Sequence, residues 1–291
     1  MKILEEKELE DMILKSEELF SKEPNYLELP LDKPIVFVGD THGDIWSTKK
    51  IFDCFAKDHL LVFLGDYIDR ALHHMGSVKN ISYLLEQKIL HPENVILLRG
   101  NHEMQEMFKD KKQDKEGFFF HEIRQLEYFS LLNPFGKMFS EMPYVCSTRN
   151  GLIGLHGGIP NIQSADELKN IPKGVMNHLD NKLVSQILWS DSKRELSVDY
   201  RPAFSRNFNM SFGIAYSKTY FKDKMDLLGK NVLVRGHDSR VKGFSYEDRL
   251  LTIFSSHYYN DSSSMKGTFV AVMNNPKKEI LTTKDLMIEY I

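Results

Sequence analysis

Apolar positions change period along the first third of the chain. Ile3, Leu4, Leu9, Met12, Ile13, Leu19 and Phe20 recur at three- and four-residue spacing. That predicts an amphipathic helix over about 1–22, ended by Pro24 and a loop running to Pro34. Residues 35–38, 60–64 and 95–98 are short runs of Val, Ile, Leu and Phe without polar alternation, the pattern of strands buried on both faces. Helical stretches at 45–57 and 77–87 separate them, so this segment reads β-α-β-α-β. The mixed-charge run 109–116 reads as a solvated helix face or loop, and 121–132 as a second amphipathic helix stopped by Asn133-Pro134. Strand-like runs come later at 144–147, 152–155, 232–234, 250–254 and 268–273, while 160–230 reads as helical and loop-rich. The predicted fold class is α/β (α+β layered), a central β-sandwich of mixed sheets flanked by helices. With no repeat, low-complexity tract or linker, 1–291 reads as one domain into which the N-terminal helix leads.

Composition narrows the function classes. The 291 residues are 42% hydrophobic and 27% charged, enough to build a sizeable core without disulfides. A formal net charge of −3 argues against nucleic-acid binding through bulk positive charge. No apolar run reaches the ~18 residues of a membrane span. The N-terminus turns acidic at Glu5 and Glu6, where a signal peptide would turn apolar. The two cysteines, Cys54 and Cys146, are expected to be buried thiols. A cytoplasmic protein with neither nucleic-acid nor membrane partners is the expectation.

The chemistry lies in the turn after each apolar run. Residues 35–38 lead into Gly39-Asp40-Thr41-His42-Gly43-Asp44, and 60–64 into Gly65-Asp66-Tyr67-Ile68-Asp69-Arg70. Residues 95–98 lead into Arg99-Gly100-Asn101-His102-Glu103, 152–155 into His156-Gly157-Gly158, and 232–234 into Arg235-Gly236-His237-Asp238. Carboxyl ends of strands are where α/β sheets bind ligands. Asp, Asn and His without cysteine suit borderline or hard divalent cations such as Mn, Fe or Zn. Two such ions need about six ligands with one carboxylate shared, and Asp40, His42, Asp66, Asn101, His156 and His237 supply that number. A single Gly-Asp or His-Gly turn is only a turn; five at strand ends are a site.

The first three blocks, in this order, resemble the signature of the phosphoprotein phosphatase (PPP) family, serine/threonine protein phosphatases of the calcineurin-like metallophosphoesterase superfamily. The similarity continues through His156-Gly157-Gly158, Leu188-Trp189-Ser190-Asp191, Ser205-Arg206, Ser211-Phe212-Gly213, Arg235-Gly236-His237 and Thr252-Ile253-Phe254-Ser255 to Tyr259. The resemblance implies a dinuclear centre of two divalent ions, manganese first and Fe, Zn or Co accepted by the same donors. Asp40 and His42 would hold one ion, Asp66 would bridge, and Asn101, His156 and His237 would complete the other. Arg70 and Arg206, with Asn101 and Tyr259, would bind the phosphate. His102, oriented by Asp69, would be the general acid after attack by a hydroxide bridging the metals. The implied enzyme is a metal-dependent hydrolase of phosphoserine and phosphothreonine in phosphoproteins; no regulatory subunit is implied by name.

The chain departs from the family pattern at several places. Ala71 replaces a glycine, Ser192 replaces a proline, and Ser255-Ser256-His257-Tyr258-Tyr259-Asn260 replaces the Ser-Ala-Pro-Asn-Tyr loop, which bears on substrate preference and toxin response. His59, His91, His121 and His178 read as ordinary surface or satisfied positions, and His73, His74 and His257 as neighbours of the site. Two alternatives remain. A dinucleoside polyphosphate or cyclic nucleotide hydrolase fits the first three blocks equally, whereas Arg206, Tyr259 and Trp189-Ser190-Asp191 favour the protein phosphatase. An inactive phosphoprotein-binding scaffold would be expected to carry a broken ligand set, which this chain does not.

Overall fold

Burial on both faces explains the unbroken apolar runs. The computed structural model describes residues 2–110, 112, 114–205, 210–240, 243–257 and 267–291. Its strands begin with β1 (Tyr26–Glu28), β2 (Ile35–Val38), β3 (Leu60–Phe63), β4 (Val95–Leu97), β5 (Val145–Ser147) and β6 (Leu152–Leu155). Next along the chain are β7 (Asp191–Ser192), β8 (Tyr200–Ser205), β9 (Met210–Tyr216), β10 (Val232–Arg235), β11 (Gly243–Ser245), β12 (Leu250–Thr252), β13 (Phe269–Met273) and β14 (Met287–Tyr290). The helices are α1 (Glu6–Lys22), α2 (Ile45–Phe55), α3 (Gly76–Leu90), α4 (Gln105–Phe108) and α5 (Phe119–Gln125). After them come α6 (Leu132–Ser140), α7 (Ala165–Lys169), α8 (Lys182–Trp189) and α9 (Lys218–Leu228).

A five-stranded sheet has the order β14-β13-β2-β3-β4, and a six-stranded sheet the order β1-β5-β6-β10-β12-β11. β2, β3 and β4 run parallel, as do β6, β10 and β12. Phe37, Val62, Ile96 and Ala271 meet Leu152, Val234 and Leu251 in the sandwich interior. Val36, Val38, Leu61 and Phe63 face the other way, under Leu9, Ile13 and Phe20 of α1 and Ile81 and Leu84 of α3. Ile153, Leu155 and Leu233 pack against Val184 and Ile187 of α8 and Phe221 and Met225 of α9. Full burial of each such side chain contributes roughly 1.5–3 kcal/mol. This is the layered mixed-sheet architecture that the sequence predicts.

Several local expectations are corrected. α1 begins at Glu6, where Glu5 and Glu8 form a reciprocal capping box. Asn133-Pro134 does not stop a helix: it lies in the first turn of α6, where proline's missing N–H has no intrahelical partner to lose. The stretch 121–132 instead breaks after α5 into a 3-10 turn at Phe129–Leu131. The region 160–230 carries a third sheet, β7-β9-β8, beside its helices. Its edge strand β8 holds exposed Arg201 and Pro202, residues an edge tolerates and a central strand does not, and this hid it from pattern reading. Cys146 is buried as expected, but Cys54 is exposed. Among the described residues, no helix is long and apolar enough to cross a membrane.

Candidate active site

The carboxyl ends of the two large sheets meet. Asp40, just beyond β2, bridges to Phe254 beyond β12, and the Asp40 carbonyl accepts the N–H groups of Ser255 and Ser256 at 3.0 and 2.9 Å. A Cβ on Gly39 would lie 2.3 Å from the Ile253 carbonyl oxygen, so only glycine permits this approach.

The turns beyond β2, β3, β4, β6 and β10 point their polar side chains into this junction. His42 Nε2 lies 3.8 Å from Asp40 Oδ2 and 3.6 Å from Asp66 Oδ2. His156 Nε2 is 3.3 Å from Asp66 Oδ1, and Asn101 Oδ1 lies 2.9 Å from both His156 Nε2 and His237 Nδ1. His42, Asp66 and His237 adopt left-handed backbone, with φ of 42°, 58° and 72°. Such conformations cost about 1–3 kcal/mol each and persist where surrounding structure enforces them. Here Asp66 is held by Glu103, whose carboxylate accepts the N–H groups of Asp66, Tyr67 and Gly100 at 2.9, 2.8 and 2.9 Å.

Electrostatics decide what this cluster accepts. Burial, then repulsion from Asp66, pushes the Asp40 carboxyl well above its usual range; burial also pushes Asp66 upward. Burial lowers His42 well below its usual range and takes His156 and His237 down to about 3. His42 and His156 stand 2.9 Å from the carbonyls of Ile68 and Leu64 through Nδ1, which puts the proton there and leaves lone pairs on Nε2. Asp40 Oδ1 accepts the His237 N–H at 2.9 Å, while Asp40 Oδ2 is buried without a hydrogen-bond partner. Imidazole lone pairs converge here with two carboxyls that burial makes costly to ionise alone, a donor set that a divalent cation fits by taking the place of the carboxyl protons. Among the described residues, two groups of donor atoms lie mutually within 4.8 Å, His42-Asp66-His102 and Asp66-His156-His237, and Asp66 belongs to both.

A second pair lies alongside. His102 Nδ1 and Asp69 Oδ2 are 2.7 Å apart and both residues are buried. Asp69 Oδ1 accepts the Phe119 N–H at 2.8 Å, and its own N–H donates to Ser77 Oγ at 3.0 Å. Asn80, one turn further along α3, donates to the Tyr67 carbonyl at 2.8 Å, so α3 fixes the loop that carries Asp69. Burial raises the Asp69 carboxyl to about 6 and lowers His102. His102 Nε2 is buried without a hydrogen-bond partner, 3.9 Å from Asp66 Oδ2. Asp69 and Arg70 are consecutive left-handed residues, φ 65° and 60°; Asp69 faces inward and Arg70 is exposed. Arg70 Nη1 reaches His42 Nε2 at 3.2 Å and lines a cavity of about 290 Å³ with Trp189, Asp191, Phe212 and His237.

The structure thus brings together Asp40, His42, Asp66, Asp69, Arg70, Asn101, His102, His156 and His237. Arg206 and Tyr259 lie outside the described residues. Pattern reading assigned no task to Glu103, although its position directly after Asn101-His102 was a signal. It also named Arg235 without giving it a task; that residue is fully buried, and its Nη1 donates to the Gly157 and Ser190 carbonyls at 2.9 and 3.1 Å and to Asp191 Oδ1 at 3.2 Å.

Residues 33–240 match the family model of the calcineurin-like phosphoesterases. A Caenorhabditis elegans protein, provisionally named a serine/threonine-protein phosphatase, is 29% identical over 259 residues, 86% of this chain and 54% of that protein. The chain therefore spans about half of that relative's length. A solved protein serine/threonine phosphatase from Saccharomyces cerevisiae, described as similar to human phosphatase PP5, is 25% identical. The two superpose with a TM-score of 0.79 over 98% of this chain and 89% of that one. A cold-active protein-tyrosine phosphatase of a psychrophilic Shewanella shares the fold at 15% identity, with a TM-score of 0.56 over 94% of this chain and 84% of that one.

Proposed function

Because the chain belongs to the calcineurin-like phosphoesterase family, we propose that it is a metal-dependent protein serine/threonine phosphatase. Asp40, His42 and Asp66 would hold one cation, and Asp66, Asn101, His156 and His237 a second, with manganese the first candidate. Bound there, divalent cations would supply positive charge against the phosphoryl oxygens and acidify water. The chain's own residues do the rest. Arg70 presents a guanidinium fork to the non-bridging phosphate oxygens. Water that has given up one proton to solvent attacks phosphorus in line with the ester bond, and the P–O bond to the serine or threonine breaks. The departing oxygen takes from His102 Nε2 a proton that the ring, neutral at rest, has drawn from solvent. Asp69 holds the imidazole ring through Nδ1 and stabilises its cationic form.

The observation that carries this reading is the buried His102–Asp69 pair, 2.7 Å apart, whose other ring nitrogen is left without a hydrogen-bond partner beside Asp66. A serine alkoxide is a poor leaving group and needs such an acid. The names of the nematode and yeast relatives support the same substrate class. The test is a screen of chelator-stripped protein resupplied singly with Mn, Fe, Zn or Co. Substrates are phosphoserine, phosphothreonine and phosphotyrosine peptides and diadenosine tetraphosphate. Turnover of phosphoserine and phosphothreonine peptides is expected; preference for the dinucleotide would replace this reading with a nucleotide hydrolase.

A further inference from the structure

The cleft beside Arg70 has an aromatic wall, Trp189, and a buried histidine stands behind that wall. The Trp189 indole Nε1 lies 3.0 Å from His178 Nδ1 and 3.2 Å from His178 Nε2, with the two rings edge-on at 79°. His178 is 1% exposed. Its ring also lies against Phe212, with centroids 4.5 Å apart. Its backbone N–H donates to Glu106 Oε1 at 2.9 Å, and Glu106 sits in α4 immediately after the turn carrying Asn101 and His102. On its other side Trp189 meets His237 edge-on at 5.8 Å and lines the cavity shared with Arg70 and Asp191. A continuous set of contacts therefore runs from Glu106 through His178 and Trp189 to His237.

We propose that His178 is a positioning residue: it accepts the indole N–H and holds Trp189 in the one orientation that forms the wall of the substrate cleft. Burial pushes the imidazole down to about 3, so the ring is neutral. Because the indole nitrogen stands nearly equidistant from both ring nitrogens with the rings edge-on, its N–H points at the imidazole face. An indole has two free side-chain torsions, and its N–H otherwise seeks a partner when half-buried. Phe212 packs against both rings, 5.3 Å from Trp189, and completes the clamp. The consequence is felt by a substrate with a peptide around its phosphate, which touches the wall. A small aryl phosphate depends mainly on Arg70 and the catalytic pair.

The kinetic part of the test rests on the phosphatase reading; the spectroscopic part does not. A Trp46→Phe background leaves Trp189 as the sole indole of the two, removing one that is 66% exposed. In that background His178→Leu removes the ring face that receives the indole N–H, whereas His178→Phe keeps an aromatic face in its place. The expected result for His178→Leu is a shifted indole emission and a phosphopeptide KM raised about 2- to 5-fold, the effect of one lost N–H contact to an aromatic face. Turnover of p-nitrophenyl phosphate should match the parent, and His178→Phe should recover most of the peptide KM. Should His178→Leu fail to fold, His178→Met against His178→Phe reads the same difference. Unchanged emission, equal losses on both substrates, or a phenylalanine variant no better than leucine would overturn the clamp. If the parent turns over neither substrate, the phosphatase reading falls, and the emission alone decides whether His178 holds the indole.

Discussion

Glu103 grips the backbone of Asp66 rather than its side chain. One carboxylate oxygen accepts the Asp66 and Gly100 N–H groups at 2.9 Å each, and the other accepts that of Tyr67 at 2.8 Å. Asp66 is thereby held at φ 58° with its carboxylate in both groups of candidate ligands. The contact needs glycine at 100, because a Cβ there would lie 2.2 Å from the Asp66 nitrogen and 2.7 Å from Glu103 Oε2. Glu103→Gln puts an NH2 group where one N–H now finds an oxygen. The expected outcome is destabilisation by about 1–3 kcal/mol and a roughly 10- to 100-fold loss of metal affinity, the usual cost of disturbing a ligand's support. Urea denaturation and metal titration check this; wild-type affinity would show that Asp66 keeps its place without Glu103.

Asp66 itself should give opposite results with and without metal. Burial raises its pKa, and it adds to the repulsion felt by Asp40, so the metal-free fold bears the charge at a cost. Asp66→Asn removes that charge while keeping the shape. Chelator-treated protein should be as stable as wild type or more so, while the rise in Tm on adding Mn should shrink and turnover should nearly vanish under every metal supplied. Metal content by elemental analysis and thermal melts in chelator and in Mn settle it. Full activity at unchanged metal content would remove Asp66 from the site.

A third expectation concerns α3, whose first turn holds the Asp69 loop. Its N-cap residue, Met75, offers no side-chain cap, and Glu122 from α5 fills the role, accepting the N–H groups of Ser77 and Val78 at 3.2 and 2.8 Å. Burial outweighs those two hydrogen bonds and raises the Glu122 carboxyl from 4.5 to about 7. A carboxyl with a raised folded pKa binds more protons folded than unfolded. Its contribution is fully present below the unfolded value and is lost as pH rises through about 7. In chelator, wild type should lose roughly 3 kcal/mol relative to Glu122→Gln between about pH 4.5 and pH 8. Parallel urea curves for the two proteins across that range would contradict the assignment.

The physics of each feature decides whether the sequence reveals it. The ligand-bearing turns were legible because two-sided burial writes β2, β3, β4, β6 and β10 as unbroken apolar runs, and Asp, Asn or His directly after such a run stands out. The left-handed backbone at His42, Asp66 and His237 was not legible, since none of the three is glycine and nothing local marks them. Glu103 and Glu122 act on backbone N–H groups 36 to 37 and 44 to 45 residues away, pairings that only the folded chain creates. His178 looked ordinary for the same reason: its partner Trp189 lies 11 residues on, at the far end of α8. The third sheet stayed hidden because its edge strand is short of apolar alternation where it faces solvent.

The His102–Asp69 pair separates proton donation from phosphate binding. A phosphoserine leaves as an alkoxide that needs a proton in the transition state, whereas p-nitrophenolate leaves readily without one. If His102 Nε2 is the donor, His102→Asn should slow phosphopeptide hydrolysis by about 10²- to 10⁴-fold, roughly 3 to 5 kcal/mol of barrier. The loss on p-nitrophenyl phosphate should be clearly smaller. Asp69→Asn should show the same asymmetry more weakly, and with some loss of order, because Asp69 also accepts the Phe119 N–H. Arg70→Ala should reduce both activities alike, since both substrates present the same phosphate oxygens to the guanidinium. Steady-state kinetics of the three variants on the two substrates reads all of this at once. Equal losses for His102→Asn on both would assign His102 to metal placement or binding, because only proton donation depends on how badly the leaving oxygen needs a proton.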